Sequence, residues 1–549
     1  MKTSLTLLTA LAVFAACLLG GRLYAQDDFG DEFADEGEPA LTVNGSLEVR
    51  AGVFVPLISD GFEAYRNKAY EPDLSPEGRV RCDPVKVPTN QCIPEEHGKD
   101  PGSMSMGRGT LQLEAEWTPH PQVVVFGILR GVRSMPLEAD EEITKPLTPL
   151  DPETRREVNK DWVHDEFYEE LELREIFVDA YPSDWFSVRL GRQQVAWGDL
   201  GQYRLLDVVN PSDNTWHWST LESFKDTKIP LWMAKALIEM PSISHSLELL
   251  WAPLFFDEPD DTVNKILTFV GAWGVPMTNT PGLFVYNRVF RYPGGDLNDM
   301  RGGFQWKGEI GEAFNYSLVY YYTHQLTPPV AVDYFRTPES MTEIETFNLE
   351  FPRQHITGLS MEYAFENPIG MVAKIEGAVE LPRTYPTRTN IFTNDENDPS
   401  RNIYKPKELV AVNYGVQLTR PTMIRFLNPT QNFLLVLQFL HTMIPGLTED
   451  DKKDLTEITN FNKYFVKMHS FTFAFVARTI YLNGLLTPTL SAAFIPPDNG
   501  YYSLSLDVRL NEVWKTKLTV IDFFGGDPYK SVGLFRDRDE VNLTIACQF

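Results

Sequence analysis

One run of the chain concentrates side chains able to hold a charged or planar molecule. Phe186-Ser187-Val188-Arg189-Leu190-Gly191-Arg192-Gln193-Gln194-Val195-Ala196-Trp197-Gly198-Asp199 is followed by Asn210-Pro211-Ser212-Asp213 and then by Lys228-Ile229-Pro230. Phe186, Val188 and Leu190 alternate with Ser187, Arg189, Gly191 and Gln193, the pattern of an extended strand with one apolar and one polar face. An arginine on the polar face can grip a carboxylate or phosphate of a substrate with two parallel N–H groups. It equally suits an ion pair to a neighbouring wall carboxylate that holds an infolded loop. Trp197 offers either a ring for stacking or a girdle aromatic at a membrane surface, and Asn210-Pro211 with Asp213 suits a tight turn. Strict alternation turns Arg192 to the apolar face, so it lies at a rim or beside a bulge that re-aims it. Arg189, Gln193, Arg192, Trp197, Asp199, Asn210 and Asp213 are therefore the candidate substrate contacts.

Bond-making chemistry is not written in the chain. It has no Gly-x-Ser-x-Gly, no His-Glu-x-x-His and no phosphate-cradling loop, and its nine His are scattered, with His355, His441 and His469 standing singly in strand-like segments. The acidic stretch Asp257-Glu258-Pro259-Asp260-Asp261 lacks the spaced glycine and terminal glutamate of a calcium loop and reads as a solvated loop tip. No catalytic residue, metal or cofactor is expected.

The elements that must position the candidates are strands. Thr42 to Pro56 alternates over its whole length, and similar segments recur at about 107–117, 121–132, 171–181, 185–197, 229–240, 245–253, 299–308, 314–324, 353–365, 370–381, 408–419, 431–442, 466–479, 485–495, 501–510, 513–523 and 539–549. Most have the ten or so residues needed to cross a bilayer at a tilt. Their connectors alternate between long and short, as where 57–106 precedes a tight Thr118-Pro119-His120 turn and 133–170 precedes Pro182-Ser183-Asp184. Short turns on one rim and long loops on the other define a transmembrane antiparallel β-barrel of about eighteen strands, with sixteen the alternative count. An even number places both ends of the barrel on one side and lets 539–549 pair with Thr42–Pro56. Leu318, Tyr320 and Tyr322 then face lipid with Ser317 and Thr323 inside; Leu504 and Leu506 oppose Ser503 and Ser505; Phe304 opposes Gln305; Ile375 and Val379 oppose Glu376 and Glu380.

Composition agrees. The chain carries 49 Lys+Arg against 76 Asp+Glu, a formal net charge of −27. That excludes a nucleic-acid binder, which needs a basic surface. Residues 1–25, with Lys2, an apolar run from Leu5 to Leu19 and Leu23-Tyr24-Ala25 before Gln26, read as a secretory signal. Residues 26–40 hold seven acids and read as a disordered periplasmic tether. The barrel occupies 41–549, with long outer loops at 57–106, 133–170, 198–228 and 254–297. Beyond the signal the longest apolar run, Phe433 to Ile444, is broken by Gln438 and His441 and is too short for a spanning helix. Cys82 and Cys92, in a polar stretch of an exported chain, are disulfide candidates. In the 133–170 loop Asp151-Pro152-Glu153 has the form of a helix start.

The final segment, Val541 to Phe549, resembles the closing strand of Gram-negative outer-membrane β-barrels. The Leu190-Gly191-Arg192-Gln193, Trp197-Gly198-Asp199 and Asn210-Pro211-Ser212-Asp213 elements resemble an outer-membrane barrel family labelled a domain of unknown function. Its members are often found beside exporters of the resistance–nodulation–division type and lipid-carrier-like periplasmic proteins. The Gly-Arg-Gln element is also similar to that of alginate-export porins, whose conduit is strongly basic where this lumen mixes both signs. The resemblance implies a conduit for small amphiphilic or hydrophobic molecules, integral to the outer membrane among lipid and lipopolysaccharide. It further implies a resistance–nodulation–division transporter and a periplasmic carrier as partners. A nonspecific diffusion porin and a barrel sheathing another subunit are the alternatives.

Overall fold

The computed structural model describes residues 40–55, 102, 104–134, 169–214, 222–265, 284–294, 297–327, 330–335, 343–366, 368–385, 407–448, 467–525, 532, 535 and 538–549. The signal segment, the acidic tether, the Asp151 helix start and the Cys82/Cys92 pair lie outside them.

Among the described residues there are twenty-one strands. They are β1 (Ala40–Phe54), β2 (Met104–His120), β3 (Val123–Ser134), β4 (Glu169–Ser183), β5 (Phe186–Gln193), β6 (Leu231–Met240), β7 (His245–Ala252) and β8 (Phe284–Arg291). Then follow β9 (Arg301–Ile310), β10 (Phe314–His324), β11 (Val330–Phe335), β12 (Glu343–Glu350), β13 (Arg353–Phe365), β14 (Met371–Tyr385) and β15 (Lys407–Thr422). The last six are β16 (Phe433–Met443), β17 (His469–Arg478), β18 (Leu486–Ile495), β19 (Asn499–Arg509), β20 (Trp514–Phe524) and β21 (Glu540–Gln548). Eighteen of them form one antiparallel sheet. Each of the eighteen segments expected from alternation overlaps one strand of this sheet.

The sheet closes on itself. β21 pairs antiparallel with β1 from Ser46↔Gln548 to Phe54↔Glu540, and Phe549 and Gly45 exchange both backbone hydrogen bonds, at 2.7 and 2.9 Å. Closure removes the unpaired edge that an open sheet leaves, the condition for β-structure in lipid. Side chains obey the expected facing. Leu190, Leu318, Leu437, Leu504 and Leu543 are exposed on the outside, whereas Gln305, Ser317, Gln417, Gln438 and Ser503 are buried on the inside. A closed barrel with an apolar outer belt and a polar inner wall is an integral outer-membrane barrel.

Two features depart from a plain barrel. The three remaining strands form a separate sheet on the long-loop rim, β12 pairing parallel with β8 and antiparallel with β11. In addition, β5 is paired only as far as Gln193, four residues short of the expected strand end. Beyond it the chain leaves the wall and turns into the lumen, where it builds an apolar core that alternation in the strands does not reveal.

Candidate functional site: a loop stapled across the lumen

Residues 194–214 leave β5 and fold across the barrel, and residues 222–230 lead into β6. Asn210, buried between these two arms, joins them. Its Oδ1 accepts the Val195 N–H at 2.7 Å, and its Nδ2 donates to the carbonyls of Gln193 and Ile229 at 3.2 and 2.8 Å. Ser212 bridges Lys228, and Asp213 donates its N–H to the Thr227 carbonyl and bridges Lys265. The turn residues thus clasp the loop's base.

The far end is fixed by the opposite wall. Glu376 of β14 is fully buried, and its carboxylate gathers four backbone N–H groups: Asp199 and Leu200 on Oε1, the latter at 2.9 Å, and Leu205 and Leu206 on Oε2 at 2.9 and 3.3 Å. Hydrogen bonds to a carboxylate are roughly twice as strong as neutral ones, so this one side chain organises both limbs of the loop tip. Gln417 of β15 accepts Gly201 N–H at 2.7 Å, Gln438 of β16 accepts Tyr203 N–H at 3.2 Å, and Ser360 of β13 donates to Asp199 at 3.3 Å. Wall glycines make the room. A Cβ at Gly358 would lie 2.2 Å from Leu206, and one at Gly415 would lie 2.9 Å from Leu200.

Between these staples the loop buries apolar mass. Val195, Trp197, Leu206 and Val209 pack with Leu231, Met233, Leu250, Val319, Tyr321, Ile356 and Ala378 of the wall. Burying a side chain such as Leu contributes about 1.5–3 kcal/mol. Trp197 is neither a girdle aromatic nor a lumen surface: it is 1 % exposed, meets Tyr321 edge-on and donates Nε1–H to Glu248 at 2.7 Å. Gln193 is buried beside it and donates to the Met233 carbonyl at 3.0 Å. Of the candidates, Asp199 keeps an exposed side chain inside the barrel.

The returning arm is held by arginines that sequence reading did not single out. Glu222 accepts from Arg50 and Arg108, each at 2.7 Å. Ser223 caps a single helical turn, α1 (Phe224–Thr227), whose last carbonyls point at the wall. Arg174 Nη2 donates to the carbonyls of Lys225, Asp226 and Lys228 at 2.7–2.8 Å, and Gln194 donates to those of Lys225 and Lys228. A cation at the carbonyl end of a helical turn is favourably placed. Lys228 is buried, with Nζ 3.0 Å from the Asn210 carbonyl and 3.4 Å from Asp207 Oδ2. Burial lowers the Lys228 pKa and raises that of Asp207, so both groups pull towards neutrality inside the loop.

Both arginines of the motif are held by wall partners. Arg189 faces the lumen, where Nε and Nη2 grip the two oxygens of Asp179 on β4 at 2.7 Å each, with its guanidinium over the Phe177 ring. Arg192 sits at the long-loop end of β5. It donates to the carbonyls of Pro230 and Leu173 and to Asp261 Oδ2 at 3.1 Å, beside Gly191, whose φ of 143° turns the backbone there. The acidic stretch 257–261 is solvated only in part, with Glu258 and Pro259 exposed. Asp261 pairs with Arg192 and Lys265, and Asp257 accepts the Trp232 N–H at 3.0 Å. Among the described residues no cluster of three His, Cys, Asp or Glu could hold a metal ion.

One signal for the loop's landing site was present in the sequence. Val319 and Tyr321 are apolar on the inner face of β10, between Ser317 and Thr323, and Gly358 and Gly415 are side-chain-free inner positions on β13 and β15. A water-filled wall has no use for either.

An integral β-barrel constricted by its own inward-folded loop is therefore the class of protein the fold and site define. The chain belongs to the family of proteins of unknown function DUF1302, whose model matches residues 8–549. No curated protein matches it in sequence. Among solved structures it is similar to OccAB1 of Acinetobacter baumannii, at 10% identity and a TM-score of 0.43 over 94% of this chain and 98% of that one. It is also similar to OpdK of Pseudomonas aeruginosa with vanillate, at 8% identity and 0.41 over 92% and 98%. A third is OmpF of Salmonella typhi in complex with daunomycin, at 10% and 0.35 over 93% and 97%.

Proposed function

We propose that this protein is a selective outer-membrane conduit for small amphiphilic or hydrophobic molecules, closed down by its own 194–230 loop. The observation that carries the reading is the loop's apolar core. Trp197, Leu206 and Val209 sit against wall residues inside a barrel whose inner surface is otherwise polar. An aqueous pore for ions and small solutes needs no apolar core at its centre, whereas a constriction that parts to admit a molecule with an apolar body presents that core to it. The crossing loop also speaks against an open diffusion porin, and against a sheath whose lumen is kept for another subunit.

Planar-bilayer recording tests this. The native protein is expected to show small, intermittent conductance. Glu376→Gln keeps the size of the side chain but turns an N–H₂ towards two of the four backbone N–H groups that the carboxylate gathers. With two charge-assisted bonds at about 1.5–3 kcal/mol each lost, the loop tip releases and conductance rises. A large, steady and unselective conductance of the native protein sinks the reading in favour of the diffusion porin.

A further inference from the structure

At the long-loop rim β7 ends before its neighbour β6 does. β7 stops at Ala252 because Pro253 brings no N–H to a ladder. Leu254 then adopts φ 64°, a left-handed conformation that is unfavourable for a residue bearing a side chain. Its side chain is fully buried in the apolar core of the lumen. The ladder between β6 and β7 consequently ends at Ala234↔Trp251, although β6 continues to the rim through Met233, Trp232 and Leu231, paired there with β5 alone of these two neighbours. By contrast, the ladder between β9 and β10 runs without a break from Tyr322↔Gly302 to Phe314↔Ile310.

Two side-chain links stand where the ladder is missing: Trp232 N–H to Asp257 Oδ1 at 3.0 Å, and Arg192 to Asp261 at 3.1 Å. Apolar residues lie on both faces of the interruption. Inside are Met233, Leu250 and Leu254, continuous with Trp197 and Val209 of the loop core. Outside, Phe256 packs on Phe255 and meets the Trp232 ring at 6.3 Å between centroids, with Phe255, Phe256 and Trp251 exposed. A strained leucine maintained beside a broken ladder is the kind of local cost that functional sites retain.

We propose that this seam between β6 and β7 is a lateral portal, through which an apolar or amphiphilic molecule passes between the lumen and the outer leaflet. The proposal rests on the amphiphile-conduit reading and adds the exit. Its physical basis is the small number of bonds in the way. A molecule leaving here displaces side-chain links instead of a run of paired backbone groups, and the residues it must part on its way to the lipid are apolar.

The test is a reversible lock. Asp257 reaches the Trp232 backbone, so Trp232→Cys with Asp257→Cys places two thiols across the seam. Uptake of N-phenylnaphthylamine, an apolar fluorophore excluded by an intact lipopolysaccharide leaflet, is followed in cells carrying the native barrel, the oxidised double variant and the reduced one. The expected result is entry through the native and reduced proteins, and in the oxidised form a fall to the level of cells lacking the barrel. Equal rates in the oxidised and reduced forms overturn the portal while leaving the conduit reading in place. Native uptake no greater than in cells lacking the barrel overturns both. Should the cysteine pair lower the amount of folded barrel, Pro253→Val, which returns an N–H to the ladder, decides the matter. Slower uptake through it supports the portal, and an unchanged rate rejects it.

Discussion

At the scale of single residues, carboxylates in this molecule act as structural fasteners. Glu376 accepts four backbone N–H groups of a loop that arrives from the other side of the barrel. Asp179 neutralises Arg189, the side chain whose position in the sequence most resembled a substrate clamp. Asp257 ionises in an accessible range. Burial is the main cause of a rise from 3.8 to about 7, opposed by the N–H of Trp232 and by Arg192 and Arg301, and reinforced by Asp261. The sign follows from linkage: a carboxyl raised in the folded state contributes stability fully present below its unfolded pKa of 3.8 and lost as pH rises through about 7. Hydrogen exchange over 253–265, corrected for intrinsic rates, is therefore expected to quicken between pH 4 and 7 by at most about tenfold per pH unit, and to level off above that. Asp257→Asn, which still accepts from Trp232, is expected to flatten the profile; an unaltered profile would rule out Asp257 as its origin.

At the scale of elements, the loop 194–230 and the strands it touches form one unit. The strands alternate faithfully, but their inner positions are chosen for the loop: glycine where Leu206 and Leu200 arrive, an acid where four N–H groups converge, and arginines where carbonyls point. Gly358→Val tests the fit. Its Cβ would fall 2.2 Å from Leu206 and 2.9 Å from the Gly377 carbonyl, too close for either to remain. Overpacking of this kind costs about 1–3 kcal/mol. The wall is paired on both sides, so the loop is expected to yield first, and limited proteolysis would cut within 194–230 in the variant at protease levels that leave the native loop whole. Cleavage at equal rates would show that the loop is not seated on Gly358. The eighteen wall strands were legible in the sequence because period two is imposed locally, residue by residue, by lipid on one side. The loop was legible only as a motif, since Trp197, Asn210 and Asp213 owe their roles to partners that are not their sequence neighbours.

At the scale of the whole molecule, everything depends on closure. Phe549 returns the last two ladder bonds to Gly45, and its ring lies where any Cβ at position 45 would be, 2.4 Å away. Removing Phe549 is expected to lower the fraction of heat-modifiable, folded barrel on gels by loss of two hydrogen bonds, about 1 kcal/mol each, and of the ring's contact with Gly45 at the seam between β1 and β21. Undiminished heat-modifiable migration would show that closure is complete without this residue.

By itself, the sequence determined the architecture: a transmembrane barrel of about eighteen strands, which face of each strand meets lipid, and the pairing of the last strand with the first. Those properties follow from alternation and connector length, which each segment carries on its own. What the lumen contains was decided by tertiary structure alone. Arg189 satisfied either reading until Asp179 lay opposite it, and Trp197 turned from rim to core because β5 releases the chain at Gln193. Glu376 gave no local sign of its four backbone partners, since a carboxylate on an inner face reads the same whether it meets water or a folded loop. The interruption beside Pro253 was likewise invisible as a seam until β6 and β7 were neighbours. A barrel wall is specified by repeating local chemistry, whereas its interior is specified by which distant segments that wall encloses.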